Sequence, residues 1–264
     1  MKKLIILFLC STSQIWTLEP LNQQTWVGKL LGKIGESNPV HYYSKEISTK
    51  MCGFTQGLFL YGDEPACKKY QDIGEQAQCA LCIAKHRQLP IKKLNPASPL
   101  APLVGAIAEA NAVFVNEEKM NQRTHGTVYC AMCHEAVHIK YADNAASDLL
   151  PLSVFMLTWI GGCAALKACK ITRLRKTMSL AVAIALSSCA AMKYRYFMER
   201  RADIEGHYAT QCSSCVKESA ENRKRLFEVE NSPLKNMGYL WANDLEKIAQ
   251  DLGDKKCSYH SNHE

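Results

Sequence analysis

The apolar positions of this chain fall into blocks of different period, and each block predicts a different element. Met1-Lys2-Lys3 followed by the apolar run Leu4 to Leu9 has the charged start and short apolar centre of a secretory signal, with cleavage expected after Ser13. Cys10 permits a lipoprotein version of that signal, although Leu9 is larger than the residue such a site takes. Ala112-Val113-Phe114-Val115 is rich in β-branched and aromatic residues and predicts a short β-strand. Met132, Ala136, Val137 and Ile139 supply the apolar side of a buried helix. Two longer blocks follow. Leu149 to Leu166 carries no charge and is long enough to cross a bilayer, and Met178 to Met192 is a shorter second block rich in Ala and Ser. Lys167, Lys170, Arg173, Arg175 and Lys176 lie between them. Past Cys215, Glu218 to Val229 predicts a charged surface helix, and Leu240 to Leu252 has the helical spacing of a segment that docks by one face. Asn95-Pro96-Ala97-Ser98-Pro99 and Pro102 mark a linker, and His260 and His263 a solvated tail.

His134-Glu135-Ala136-Val137-His138 adds chemistry to this pattern. Residues four apart share one face of a helix, so His134 and His138 can point their imidazoles at one ion. Glu135 then sits where a carboxylate can accept a proton from an attacking water. A zinc hydrolase needs a third protein ligand and leaves the fourth position open. Glu199 is the candidate, with Asp203 and His207 following at four-residue steps on the same helix face. Asp203 can hold a ligating histidine by its other ring nitrogen. His207, or its neighbour Tyr208, is a candidate to steady an oxyanion.

Two segments, HEAVHIKYAD (His134 to Asp143) and ERRADIEG (Glu199 to Gly206), resemble the motifs of the gluzincin metallopeptidases of the HtpX heat-shock protease and CAAX prenyl protease type. The similar region runs from about Gly105 to Ala209, under half the chain. The resemblance implies that His134, His138 and Glu199 bind zinc, that Glu135 is the base and that Asp203 is a supporting carboxylate. The expected fold is α+β and mainly helical: a gluzincin-type zinc protease core with a short edge strand and an inserted transmembrane helical hairpin. The expected organisation is a signal peptide at 1–13, a cysteine-containing region at 14–97, a metallopeptidase core at 98–216 with its membrane hairpin at 149–192, and a helical extension at 217–264.

Topology constrains the hairpin. His138 and Glu199 must reach one ion, so the chain between them crosses a membrane an even number of times. A signal at the N-terminus places the motif outside the cytoplasm and the basic loop inside, in line with the positive-inside rule, although Lys193, Arg195, Arg200 and Arg201 put charge on the other side as well. The expected location is therefore a cell inner membrane with the site on its extracytoplasmic side, whereas HtpX-type enzymes work on the cytoplasmic side. The expected partners are membrane lipid and a polypeptide substrate, membrane-tethered or misfolded in the envelope. A net charge of +7 with no long Lys/Arg run argues against nucleic acid as a partner.

Thirteen cysteines are many for a reduced cytosolic protein. Cys79/Cys82, Cys130/Cys133 and Cys212/Cys215 have CxxC spacing, which in an exported chain predicts disulfides, or a second, structural zinc held by two of the pairs, with free or redox-active thiols as the remaining reading. Cys133 directly precedes His134, so its oxidation would strain the metal helix. The competing function is a non-catalytic membrane module in which zinc or the CxxC pairs hold structure or sense redox state on a protease scaffold. A soluble protease whose apolar hairpin never enters lipid is a further alternative.

Overall fold

The computed structural model describes residues 62–109, 111–168, 175–229 and 238–257. The expected signal at 1–13, Cys10, Cys52, Lys170, Arg173, His260 and His263 lie outside these. The described chain is mainly helical with one small sheet. Its elements are α1 (Lys68–Ala80), a 3-10 turn (Lys85–Arg87), β1 (Ile91–Lys93), β2 (Ala106–Ala108), β3 (Val113–Val115), α2 (Glu117–Asn121), α3 (His125–Tyr141), α4 (Asp143–Ala168), α5 (Arg175–Ala209), α6 (Ser213–Val229) and α7 (Ala242–Leu252).

Helix α3 is the axis of the fold. Thr124 caps its start by accepting a hydrogen bond from the Thr127 amide, and Ala142 ends it in the left-handed region at φ 53°. Most of its residues are buried, because it is covered from two sides. One side carries Val128, Met132, Cys133, Ala136 and Val137 into a core with Tyr70, Ile73 and Ala77 of α1 and with Ile91, Val113 and Val115 of the sheet. The segment before residue 98 thus shares the core of the metal helix. On the other side Cys130 joins Cys215, Val216 and Ala220 of α6 and Leu245, Ile248, Ala249 and Leu252 of α7. The charged stretch from Glu218 is a surface helix as expected, and it continues a helix whose start, with Cys215 and Val216, is buried. The Leu240 to Leu252 pattern docks as its spacing predicts.

The expected strand forms, at Val113–Val115, but at the centre of the sheet. The order is β1-β3-β2, with β1 parallel and β2 antiparallel to β3. A strand covered on both faces reads as a continuous apolar run, which Val-Phe-Val is. The edge next to α3 is β2, which composition does not distinguish.

Helices α4 and α5 are each long and apolar enough to cross a membrane. They run antiparallel: Leu150 packs against Tyr194, Phe197 and Met198, while Gly162 faces Ser179. Leu152, Met156, Leu157 and Ile160 of α4 and Ile184 of α5 are exposed, so no protein layer covers them. The second apolar block does not end in a break. Residues 178–192 continue without interruption into the charged final turns of α5, from Lys193 onward, which belong to the globular body and carry Glu199 and Asp203.

Candidate metal centre

Three side chains converge where α3 crosses α5. His134 and His138 lie one turn apart on α3, Glu199 faces them from α5, and one ligand atom of each lies within 4.8 Å of the other two. His134 Nε2 is 3.1 Å from His138 Nε2 and 3.2 Å from Glu199 Oε2, and His138 Nε2 is 3.8 Å from that oxygen. All three residues are buried. The crossing is close because Gly206 has no side chain: a Cβ there would lie 2.8 Å from the His134 amide nitrogen and 2.9 Å from its Cα.

The other ring nitrogens are held by carboxylates. His134 Nδ1 donates to Asp203 Oδ1 at 2.8 Å, and His138 Nδ1 donates to Asp143 Oδ2 at 2.8 Å. The left-handed Ala142 turns the chain so that Asp143 comes back against His138. Each aspartate is held in turn by an arginine. Arg201 donates to Asp143, and its guanidinium lies 3.7 Å over the Tyr141 ring. Arg223 donates to both oxygens of Asp203, at 3.2 and 3.3 Å, and the Leu240 amide adds a bond of 2.7 Å. Burial would raise the Asp203 carboxyl, yet Arg223 and His134 hold it well below the usual carboxylate range.

These bonds fix the tautomers. Ionised carboxylates only accept, so each Nδ1 carries a proton and each Nε2 presents a lone pair. Two lone pairs and a carboxylate oxygen then crowd one small volume, an arrangement that can hold a cation among them. Two imidazoles and one carboxylate, each steadied from behind, are a donor set that suits zinc. The electrostatics agree. Burial opposes a charge on His134, but Asp203 and Glu199 raise it to about 9, and His138 is raised well above its ordinary value by Asp143 and Glu199 against the same burial. Burial likewise opposes the charge on Glu199, and the two imidazoles hold its carboxyl well below the usual range. The pocket attracts positive charge, whether a proton or a metal ion.

Glu135 follows His134 toward the sheet, and its Oε2 accepts a hydrogen bond of 2.6 Å from the amide of Ala108 on the edge strand. His207 does not join the centre. Its Nδ1 donates to the Asp203 carbonyl at 2.6 Å and its Nε2 accepts from the Ser219 hydroxyl at 2.9 Å, so neither nitrogen is left to steady an oxyanion. Burial is the first cause that pulls this imidazole down, to about 4. Tyr208 donates instead to Asp251 near the surface. Both side chains expected as oxyanion partners are thus engaged elsewhere in this structure.

Tyr239 is the residue that sequence reasoning missed. Its ring stacks on His134 with centroids 5.7 Å apart and planes 16° apart, and Arg223 lies 5.0 Å from the ring centroid. Gly238, at φ 96°, makes the turn that delivers it against α5. Burial raises the Tyr239 hydroxyl, and the Glu199, Asp203 and Glu135 carboxylates raise it further. Arg201 and Arg223 were equally invisible, because nothing in a charged helix pattern says which arginine turns inward.

Among the described cysteines, Cys67, Cys79, Cys82, Cys130, Cys133, Cys163 and Cys189 are free thiols. Cys79 and Cys82 are exposed. Cys133 is buried beside Tyr129 in the α3 core. A second group that can hold a metal ion is Cys212, Cys215 and Cys257, which joins one CxxC pair to a cysteine from the C-terminal segment rather than to another CxxC pair. No protein-family model, curated protein or solved structure matches the chain.

Proposed function

We propose that this chain is a membrane-associated, zinc-dependent endopeptidase of the gluzincin kind. The observation that carries this reading is the convergence of His134, His138 and Glu199, with both imidazoles held by aspartates and Glu135 beside the sheet edge. When bound, zinc would polarise the scissile carbonyl and acidify the attacking water. Glu135 accepts that proton and returns it to the leaving amine. The Ala108 amide orients the Glu135 carboxylate from strand β2, whose outer edge can pair with an extended polypeptide. Tyr239, whose hydroxyl bonds Glu199 beside the two histidines, takes the oxyanion role in this reading in place of His207. Asp203 and Asp143 fix the histidine tautomers.

The exposed apolar faces of α4 and α5 fit lipid, and Glu199 lies shortly beyond the second apolar stretch. This favours membrane-tethered or misfolded envelope polypeptides as substrates, while the signal-like start and the basic residues between the two apolar blocks favour an extracytoplasmic site at a cell inner membrane. The test is a comparison of wild type with Glu135→Gln in detergent, reading bound zinc and cleavage of casein or of the chain itself. Zinc in both with cleavage only in wild type supports the proposal. Zinc in both with cleavage in neither would favour a non-catalytic zinc-binding or redox-sensing module.

A further inference from the structure

Four cysteines that the peptidase reading does not use meet one helical turn before His134. The Sγ atoms of Cys212, Cys215 and Cys257 all lie within 4.8 Å of one another, and Cys215 Sγ is 3.6 Å from Cys257 Sγ. Cys130 of α3 packs in the same cluster, and its thiol donates to the Cys215 carbonyl at 3.5 Å. Cys130, Cys212 and Cys215 are buried, and Cys257 is only partly so.

Three pieces of chain are built around this point. Cys212 immediately precedes α6 and Cys215 sits in its first turn, after Gln211 in the left-handed region at φ 49°. A CxxC step across a helix start sets both sulfurs on one side. Cys257 arrives on the strand of chain that leaves α7. That strand is fastened by the Ser213 amide donating to the Lys255 carbonyl at 3.0 Å and by Lys255 Nζ donating to Gln211 at 2.9 Å. The third piece is α3, with Cys130. Zinc–sulfur bonds of about 2.3 Å in a tetrahedron put neighbouring sulfurs roughly 3.8 Å apart. The Cys215–Cys257 separation matches that spacing.

We propose that Cys212, Cys215 and Cys257, with Cys130 as the fourth thiolate, bind a structural zinc ion that fastens the α6–α7 pair to α3. The ion joins three segments that also meet through apolar contacts and hydrogen bonds. Its effect reaches the other centre through the covering helices, because Arg223 of α6 and the Tyr239–Leu240 segment before α7 hold Asp203. The site is independent of whether the histidine centre is catalytic. It also differs from a pairing of two CxxC motifs: Cys79 and Cys82 are exposed elsewhere.

The experiment uses the full chain in detergent and needs no variant for its main outcome. Zinc is measured on wild type, and thiols are alkylated in the native protein without reductant, before and after chelation. The proposal expects four thiols that are shielded in the native protein and become reactive on chelation alone. Thiols released only by a reductant would mean disulfides and overturn it, as would thiols that already react freely before chelation. Cobalt loading gives the ligand set, since thiolates produce intense near-ultraviolet charge-transfer absorption. His134→Ala/His138→Ala should keep one metal ion with that absorption, and Cys215→Ser/Cys257→Ser should lose it. Cys130→Ser should reduce the absorption by about a quarter; an unchanged spectrum would remove Cys130 from the site.

Discussion

Asp143 and Arg201, 58 residues apart in sequence, form a buried ion pair that stands directly behind His138. Removing one partner of such a pair leaves the other charge buried without compensation, at about 3–5 kcal/mol. Arg201→Met should therefore lower stability by about that amount, although Arg201 touches neither the proposed metal nor the substrate. Asp143→Asn should weaken zinc binding by roughly 10–100-fold, because it loses its hold on the His138 tautomer. Thermal unfolding and zinc titration in detergent separate the two effects.

Gly206→Ala should destabilise the crossing of α3 and α5. A methyl at 2.8 Å from a backbone nitrogen forces the helices apart, and overpacking of this kind costs about 1–3 kcal/mol. Alanine favours a helix over glycine by about 1 kcal/mol, so the net loss is smaller than the steric term. Gly161→Ala in α4, where no atom lies within 4 Å, is the control and should show no loss. A fall in melting temperature and zinc affinity for Gly206→Ala alone is the expected result.

Tyr239→Phe keeps the ring that stacks on His134 and removes the hydroxyl. Zinc content should stay unchanged while kcat falls about 100-fold, the usual effect of deleting one oxyanion donor. An equal loss of zinc would instead make Tyr239 a packing residue.

His207 sets an acid limit on stability. Its pKa is lowered from 6.5 to about 4 in the folded chain, so between those values the unfolded chain binds a proton that the folded chain refuses. Stability from the neutral imidazole is complete above pH 6.5 and is lost as pH falls toward 4. Ser219→Ala, which removes the hydroxyl that donates to Nε2, should lower stability at neutral pH and flatten this acid dependence. Urea melts at pH 7.5, 6 and 4.5 would read it.

Metal removal reverses the pH trend at His134. In the metal-free chain its pKa is raised from 6.5 to about 9, so the stabilising charge on His134 is fully present below 6.5 and is lost as pH rises through 9. Chelated protein should therefore melt progressively lower between pH 7 and 9.5. Zinc-loaded protein should not follow, because the ion occupies the position of the proton. The gap between the two melting curves should widen with pH.

The parts legible in sequence were those set by local period. His134 and His138 share a face because a helix turns every 3.6 residues, and Glu199, Asp203 and the α7 docking face follow the same rule. What was not legible depends on tertiary register. The Val-Phe-Val run announced a strand but not its place at the sheet centre. Lys193 looked like the end of an apolar segment, yet a change from apolar to charged residues alters only the surroundings of a helix, and its backbone continues. Tyr239, Arg201 and Arg223 owe their roles to the packing of distant elements. His207 kept the spacing of a site residue and was turned to other work by Ser219, which belongs to a different helix.

The unbroken course of α5 has a geometric consequence. On the proposed membrane reading, the helix is a rigid strut from the bilayer to Glu199, seven residues past the second apolar stretch, or roughly 10 Å at 1.5 Å per residue. The height of the cutting position above the lipid is then fixed by the length of the strut. For a substrate anchored in the same bilayer, distance from its own anchor selects the bond to be cut, as a ruler would, before any side-chain preference comes into play.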